Sequence, residues 1–489
     1  MLFSSIVFIL YFLPIVLVLY YLFSFSRLLQ NILLFVSSIV FYSWGETKYA
    51  ILMCASILLN TFMGYLVDKF RQKEKTGKWL VAITVACNLA ILYVFKYLPF
   101  TIRNINSFIG VDITVPSFVL PLGISFYTFQ AISYVVDVYR GDAEVEKNPF
   151  YVGLYIAFFP QLIAGPIVRY NTIAEQIRDR KSSIEKFSVG CCRFLVGFEK
   201  KILLANNFAL VADKVFELTN SQTVPASLAW LGAIAYTLQI YFDFSGYSDM
   251  AIGLGAVFGF HFNENFNYPY ISKSIREFWR RWHISLSGWF RDYLYIPLGG
   301  NRKGNVYLNL LIVFLATGIW HGAAWGFLFW GLWHGFFLVL ERIMSKKQKQ
   351  SNKIIRIPAI IQWMYTMCVV VTGWVLFNLV ELKPSLSYLA VMFGITKNDF
   401  CAYDVRYYLT NQNLFFFLLA CICCLPWVQW IKNSKYYKRF ITPVGKHENL
   451  DGIYVGFLCV KRALLLFVLV FSFLFIINSS YNPFIYFRF

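Results

Sequence analysis

The stretch Gly318-Ile-Trp-His-Gly-Ala-Ala-Trp-Gly-Phe-Leu-Phe-Trp-Gly-Leu-Trp-His-Gly335 sets two histidines, His321 and His334, in apolar and aromatic sequence. Trp320, Trp325, Trp330 and Trp333 surround them. Gly318, Gly322 and Gly326 recur every four residues, and Gly331 and Gly335 repeat the spacing. On a helix, glycines so spaced form a smooth ridge against which a neighbouring helix packs closely. An imidazole in hydrocarbon needs protein partners or a water-filled cavity, so each histidine is a candidate functional residue. The plain alternative is a histidine that only hydrogen-bonds to a neighbouring helix.

The rest of the chain has the same character. Of 489 residues, 58% are hydrophobic and 14% charged, where a water-soluble domain has about a quarter charged. Apolar runs of about twenty residues recur, each a candidate transmembrane helix. The runs are continuous rather than alternating, which excludes a β-barrel. The fold class is therefore an all-α polytopic membrane protein. The net charge of +19 does not imply nucleic acid, because the basic residues lie mostly in short segments between apolar runs. The first run, residues 3–25, lacks a basic start and a small-residue cleavage site and reads as a retained helix. The cysteines lie mostly inside apolar runs, with Cys401 in a polar loop, so neither a disulfide framework nor a metal site is expected.

Eleven spans are expected, at roughly 3–25, 31–45, 49–67, 79–98, 117–137, 226–242, 306–321, 324–340, 359–380, 413–431 and 454–478. Residues 151–168, 189–213 and 246–300 mix apolar residues with charges and read as re-entrant or interfacial helices. Three connections are basic. The first, 68–78, carries Lys69, Arg71, Lys73, Lys75 and Lys78; the others are 341–358 and 432–446. The positive-inside rule puts them in the cytoplasm. Residues 101–116 and 381–412 then face outward, and both termini fall outside. No linker or repeat divides the chain, so residues 1–489 read as one transmembrane domain, with its motifs in 117–341 and further spans in 359–478.

Polar residues gather in four blocks. Ser125, Thr128, Gln130 and Ser133 lie inside one expected span, where interhelical hydrogen bonding explains them. Pro160, Gly165 and Pro166 break the run 158–170, as suits a re-entrant element lining a cavity. Tyr241-Phe-Asp-Phe-Ser-Gly-Tyr-Ser-Asp249 places Asp243, Ser245 and Asp249 directly after an apolar span, where buried carboxylates need partners. Phe278-Trp-Arg-Arg-Trp-His-Ile-Ser-Leu-Ser-Gly-Trp-Phe-Arg-Asp292 alternates aromatic and basic residues around His283, as an interfacial helix or the border of a site does. Asn263, Asn265 and Asn267 before it read as a polar turn.

A histidine can accept and return a proton near neutral pH. No G-x-S-x-G elbow, H-E-x-x-H or Walker loop is present. One embedded base can deprotonate a hydroxyl for attack on a thioester, whose thiol already leaves readily. A basic cytoplasmic face attracts a phosphorylated donor such as acyl-CoA.

Eight segments together carry a resemblance: "FYSWGE" (41–46), "LPLGISFYTFQAISYVVDVYRG" (120–141), "FFPQLIAGPIVRY" (158–170), "FDFSGYSDMAIG" (242–253), "FWRRWHISLSGWFRDYLYIPLGG" (278–300), "TGIWHGAAWGFLFWGLWHG" (317–335), "GWVLFN" (373–378) and "NPFIYFRF" (482–489). The chain resembles the membrane-bound O-acyltransferase family, above all its bacterial alginate and peptidoglycan O-acetyltransferase branch. The resemblance implies a ring of helices around a tunnel, with His321 as the catalytic histidine at its waist and His283 as the second histidine. Asp243, Ser245, Trp282, Ser285, Trp320 and Trp325 are expected to contact substrate or support the histidines, and His334 to pack beside them. It implies acetyl-CoA as the donor from the cytoplasm, with no bound cofactor or metal. It implies an extracytoplasmic acetylase or carrier protein as partner, a polysaccharide as final acceptor, and the bacterial cytoplasmic membrane as location. D-alanyl transfer to teichoic acid is the related alternative, and the extra spans at 359–478 weigh against it. A transporter or flippase using Asp243, Asp249 and the histidines, and a scaffold recruiting an acetylase, are the readings without acyl chemistry.

Overall fold

Prolines and glycines decide where the apolar runs become helices. The computed structural model describes residues 1–45, 47–221, 224–350, 357–396, 404–433, 452–478 and 481–485. Every regular element among them is helical. Four helices are long and apolar enough to cross a membrane: Thr47–Phe70, Glu74–Ile109, Trp325–Gln348 and Ala359–Leu379. Phe8–Leu22, Arg27–Ser43, Val306–His321, Asn411–Cys423 and Arg462–Asn478 are apolar but shorter.

Of the eleven expected spans, 49–67, 79–98, 324–340 and 359–380 have a membrane-length apolar helix among the described residues, and three others depart from the expected course. In the run 117–137, Pro121 and Gly123 keep the start non-helical, and the helix is Ile124–Arg140. Pro426 splits 413–431 into Asn411–Cys423 and Trp427–Asn433. The run 226–242 does not end before its carboxylates: nothing breaks it until Phe258, and Ala226–Val257 carries Asp243 and Asp249 inside one helix. The 432–446 connection lies outside the described residues apart from its first two.

Two widened, π-helical turns have a common cause. Phe8–Phe12 and Tyr93–Tyr97 each end two residues before a proline, Pro14 and Pro99. A proline has no N–H and its ring crowds the carbonyl four residues back, so the preceding turn opens.

Residues 189–213 are helical and packed on a long helix. Ile184–Glu199, the π turn Lys200–Ala205 and Asn206–Ser221 follow one another and pack along Ala226–Val257. Glycines make this possible: a Cβ on Gly190 would lie 2.6 Å from Gly253 O, and one on Gly253 would lie 2.6 Å from Gly190 O. Residues 151–168 do form short broken pieces, Pro149–Ala157 and Phe159–Leu162, and both are buried. The 246–300 block leaves its long helix at Val257 and continues through Ile275–Arg281, Ile284–Phe290 and the turn Arg291–Tyr295. The glycine ridge forms in part. Gly318, Gly322 and Gly326 do not share a helix, because Val306–His321 ends before the extended Gly322. Gly331 and Gly335 lie on Trp325–Gln348 and face Val306–His321, where a Cβ on Gly331 would lie 3.3 Å from Gly318 Cα.

Candidate active site

His321 is the last residue of Val306–His321, and its ring is boxed by aromatic edges. Trp320, Trp330 and Phe377 meet it edge to face at centroid distances of 4.9, 5.0 and 5.1 Å. Such contacts favour one ring orientation without using the nitrogens. The residue lines two cavities. One, of about 470 Å³, is shared with Tyr42, Lys96, Ser125 and Trp320. The other is a closed space of about 10 Å³ walled by Phe244, Trp282, Trp330, Trp374, Phe377 and Ile485.

His283 lies 6.2 Å from Trp320 and 4.6 Å from Phe244 between ring centroids. Its backbone is left-handed, φ 43°, a conformation that a non-glycine residue adopts only when its surroundings enforce it. Asn265 enforces it. Asn265 O accepts from Ile284 N at 2.9 Å, and Asn265 Oδ1 accepts from Ser285 N at 3.2 Å and Ser285 Oγ at 2.9 Å. The same Oδ1 is 3.1 Å from His283 Nδ1. Because a backbone N–H can only donate, that Asn265 atom must be the oxygen, and His283 Nδ1 must carry the hydrogen. The lone pair is then on Nε2, which is buried without a hydrogen-bond partner among the described residues. Asn265 Nδ2 completes the cluster by donating to Ser248 Oγ at 2.9 Å.

A third cavity, of about 590 Å³, lies beyond Ser285 and is bordered by Arg169, Trp279, Arg280 and Arg291. It is at the opposite end of the molecule from the cavity of His321. Ser125, in that first cavity, begins the helix Ile124–Arg140, and a 17-residue helix is about 25 Å long. Its other end meets the basic 68–78 connection, where a Cβ on Gly77 would lie 2.9 Å from the Tyr139 ring. There Arg140 donates to Asp292 O at 3.1 Å. Asp292 pairs with Arg169 and, at 2.7 Å, with Arg291. Burial pushes the Asp292 carboxyl up, but the Arg291 hydrogen bond and the Arg169 and Arg291 charges outweigh it and hold it below the usual carboxylate range.

Comparison with known proteins decides the family. The model of the membrane-bound O-acyltransferase family matches residues 144–380. The chain is 42% identical over 502 residues to the probable alginate O-acetylase of Pseudomonas putida, covering 100% of both proteins. It is 32% identical over 533 residues to the peptidoglycan O-acetyltransferase of Helicobacter pylori, covering 100% of this chain and 98% of that one. It is 28% identical over 334 residues to the teichoic acid D-alanyltransferase of Bacillus subtilis, covering 62% of this chain and 79% of that one.

The chain belongs to the membrane-bound O-acyltransferase family.

In this acyltransferase the remaining candidates fall into three groups. Trp282, Trp320 and Ser285 border the cavities around the histidines. His334 is fully buried among Phe278, Trp279, Trp330 and Trp374, and Gly373 leaves room for it: a Cβ there would lie 2.7 Å from His334 Nε2. Asp243, Ser245 and Trp325 border neither cavity of His321. Ser245 is buried with no partner among the described residues. Trp325 is 44% exposed, stands at the start of a helix and donates to Asn104 Oδ1 at 3.0 Å.

Asp243 has the partner that a buried carboxylate needs. It pairs with Lys201 at 2.7 Å, both side chains almost fully buried, and accepts from Ile485 N at 2.8 Å. Lys201 Nζ donates to Pro483 O. The ion pair thus grips the segment 481–485 and sets Ile485 in the wall beside His321. Asp249 pairs with Arg193 and Lys200, each at 2.6 Å. With both carboxylates neutralised in this way, they do not form the polar path that a transporter reading required.

Three features were not anticipated: Lys96, the Asn265 hub and the segment 481–485. A lone lysine in an apolar run was signal enough for the first. The Asn263, Asn265 and Asn267 series hid the second, because Asn265 is fully buried in what reads as a turn. No local pattern reveals that the segment 481–485 folds back against Asp243.

Proposed function

We propose that the protein is an O-acetyltransferase that moves an acetyl group from cytosolic acetyl-CoA to an extracytoplasmic acceptor, for O-acetylation of a polysaccharide such as alginate or peptidoglycan. In this reading the basic face is cytoplasmic, both termini are outside, and the helices surround a tunnel with His321 at its waist. The observation that carries it is the position of His321, at the base of the larger cavity and in the wall of the closed aromatic one. The arginine-bordered cavity on the basic face supports donor entry there, since it offers cations to phosphate groups. In this reading the donor's thin thioester arm passes the rings of Trp282, Trp374 and Phe244, which line the small space beside His321.

The chemistry is short. The acceptor hydroxyl gives its proton to the His321 imidazole as its oxygen bonds to the acetyl carbon. The carbon–sulfur bond breaks, and the thiolate leaves with the proton that His321 held. His283, with Nδ1 holding its hydrogen against Asn265, offers a neutral Nε2 acceptor nearby. A secreted acetylase or carrier protein then passes the acetyl group to the polymer.

Identity of 42% over the whole chain with a probable alginate O-acetylase, against 28% over 62% of it with a teichoic acid D-alanyltransferase, favours acetyl over D-alanyl transfer. The test is His321→Ala in a deletion strain. Wild-type membrane abundance and elution, with loss of acetyl groups from cell-wall and exported glycans by mass spectrometry, is expected. Normal acetylation by that variant would end the reading.

A further inference from the structure

Lys96 stands in the widened turn Tyr93–Tyr97, inside a membrane-length apolar stretch. Its ammonium donates to Trp320 O at 2.7 Å and to Ser125 Oγ at 3.0 Å. Trp320 O is one of the last carbonyls of Val306–His321, which need outside donors. A neutral donor suffices for that: Tyr97 OH caps the adjacent Ile319 O at 2.7 Å. Lysine brings a charge as well, and a charge in this setting is costly. Among the described residues, no carboxylate lines the cavity that Lys96 shares with His321. An ammonium has three N–H donors, and the described residues use two. The third is left for the cavity, beside the residue that follows Trp320.

We propose that Lys96 is a second catalytic residue, whose third N–H donates to the acyl carbonyl oxygen as that oxygen becomes negative. The proposal rests on acyl transfer at His321. When the acceptor oxygen bonds to the acyl carbon, the carbonyl π pair moves onto oxygen, and Lys96 faces that charge. The pair then returns, the carbon–sulfur bond breaks, and the thiolate leaves with the proton from His321. A cation already fixed by two hydrogen bonds need not reorganise, which is what makes such stabilisation effective.

The experiment uses membrane vesicles of the native host, with their own acceptor, expressing the full chain and supplied with radiolabelled acetyl-CoA. Initial rates are measured against donor concentration. Lys96→Met should lower the maximal rate by about 10²- to 10³-fold, the range for removing one oxyanion donor, with the donor KM unchanged. Lys96→Arg should recover part of the loss, because the charge remains. Lys383→Ala, on an exposed lysine away from the basic connections, should match wild type. Should Lys96→Met fail to accumulate, Lys96→Gln, which keeps a donor for Trp320 O, is read in the same way. A wild-type maximal rate in Lys96→Met, a change in KM alone, or equal loss in Lys96→Arg and Lys96→Met overturns the proposal. Any of these with an inactive His321→Ala leaves acyl transfer at His321 standing. A fully active His321→Ala removes that reading itself.

Discussion

Asn265 shows how one side chain sets the chemistry of another. Its Oδ1 receives the Ser285 backbone N–H at 3.2 Å, and this fixes the amide orientation and hence the His283 tautomer. Asn265→Leu would fill similar space but leave the Ser285 N–H, Ser285 Oγ and His283 Nδ1 without their acceptor. Each buried group left unsatisfied costs about 1–3 kcal/mol. The variant is expected to unfold at a clearly lower temperature and to lose most acetyl transfer. Asn265→Asp keeps the acceptor and should retain more of both. Thermal unfolding of the detergent-purified variants checks the order, and equal stability of Leu and wild type would refute it. At this scale the sequence was uneven. His321, Trp320, Trp282 and Ser285 could be singled out because polar and aromatic residues in an apolar run invite explanation, and all four border cavities. Asp243 and Trp325 border neither cavity of His321, because a motif position does not say which way a helix faces.

Between elements, the deciding contact is the approach of Val306–His321 to Trp325–Gln348 at Gly318 and Gly331. The four-residue spacing of Gly331 and Gly335 marked one side of this seam, while the series Gly318, Gly322 and Gly326 is cut by the helix end at His321. The equivalent approach of Gly190 to Gly253 was not legible, because charged neighbours interrupt the apolar pattern there. A Cβ on Gly331 would run into Phe314 O, which is backbone and cannot swing aside, while one on Gly335 first meets Leu311 Cδ2 at 3.2 Å, which can. Gly331→Ala should therefore cost about 1–3 kcal/mol through overpacking and displace the helix that ends in His321. Gly335→Ala should cost less. Paired melting curves and acetylation levels test this, and equal effects of the two alanines would show that the seam is not rigid.

Across the whole molecule, a buried ion pair joins the interior of Ala226–Val257 to residues far away in sequence. Lys201 and Asp243 hold each other at 2.7 Å and together bind Pro483 O and Ile485 N. Phe484 packs on Tyr247 at 5.0 Å between centroids, and Asn482 reaches Ser4 Oγ at 3.0 Å. The consequence is a wall of the His321 site built from the segment 481–485. Removing one partner strands the other charge, which in buried pairs costs about 3–5 kcal/mol, whereas replacing both with apolar residues is often neutral. Asp243→Leu and Lys201→Met alone should each destabilise the protein strongly, and the double variant should recover much of the loss. Activity should not recover with it, since neither apolar side chain can bind the backbone at 483 and 485. A double variant as unstable as the singles, or one with wild-type acetylation, would show that this pair does not position the wall beside His321.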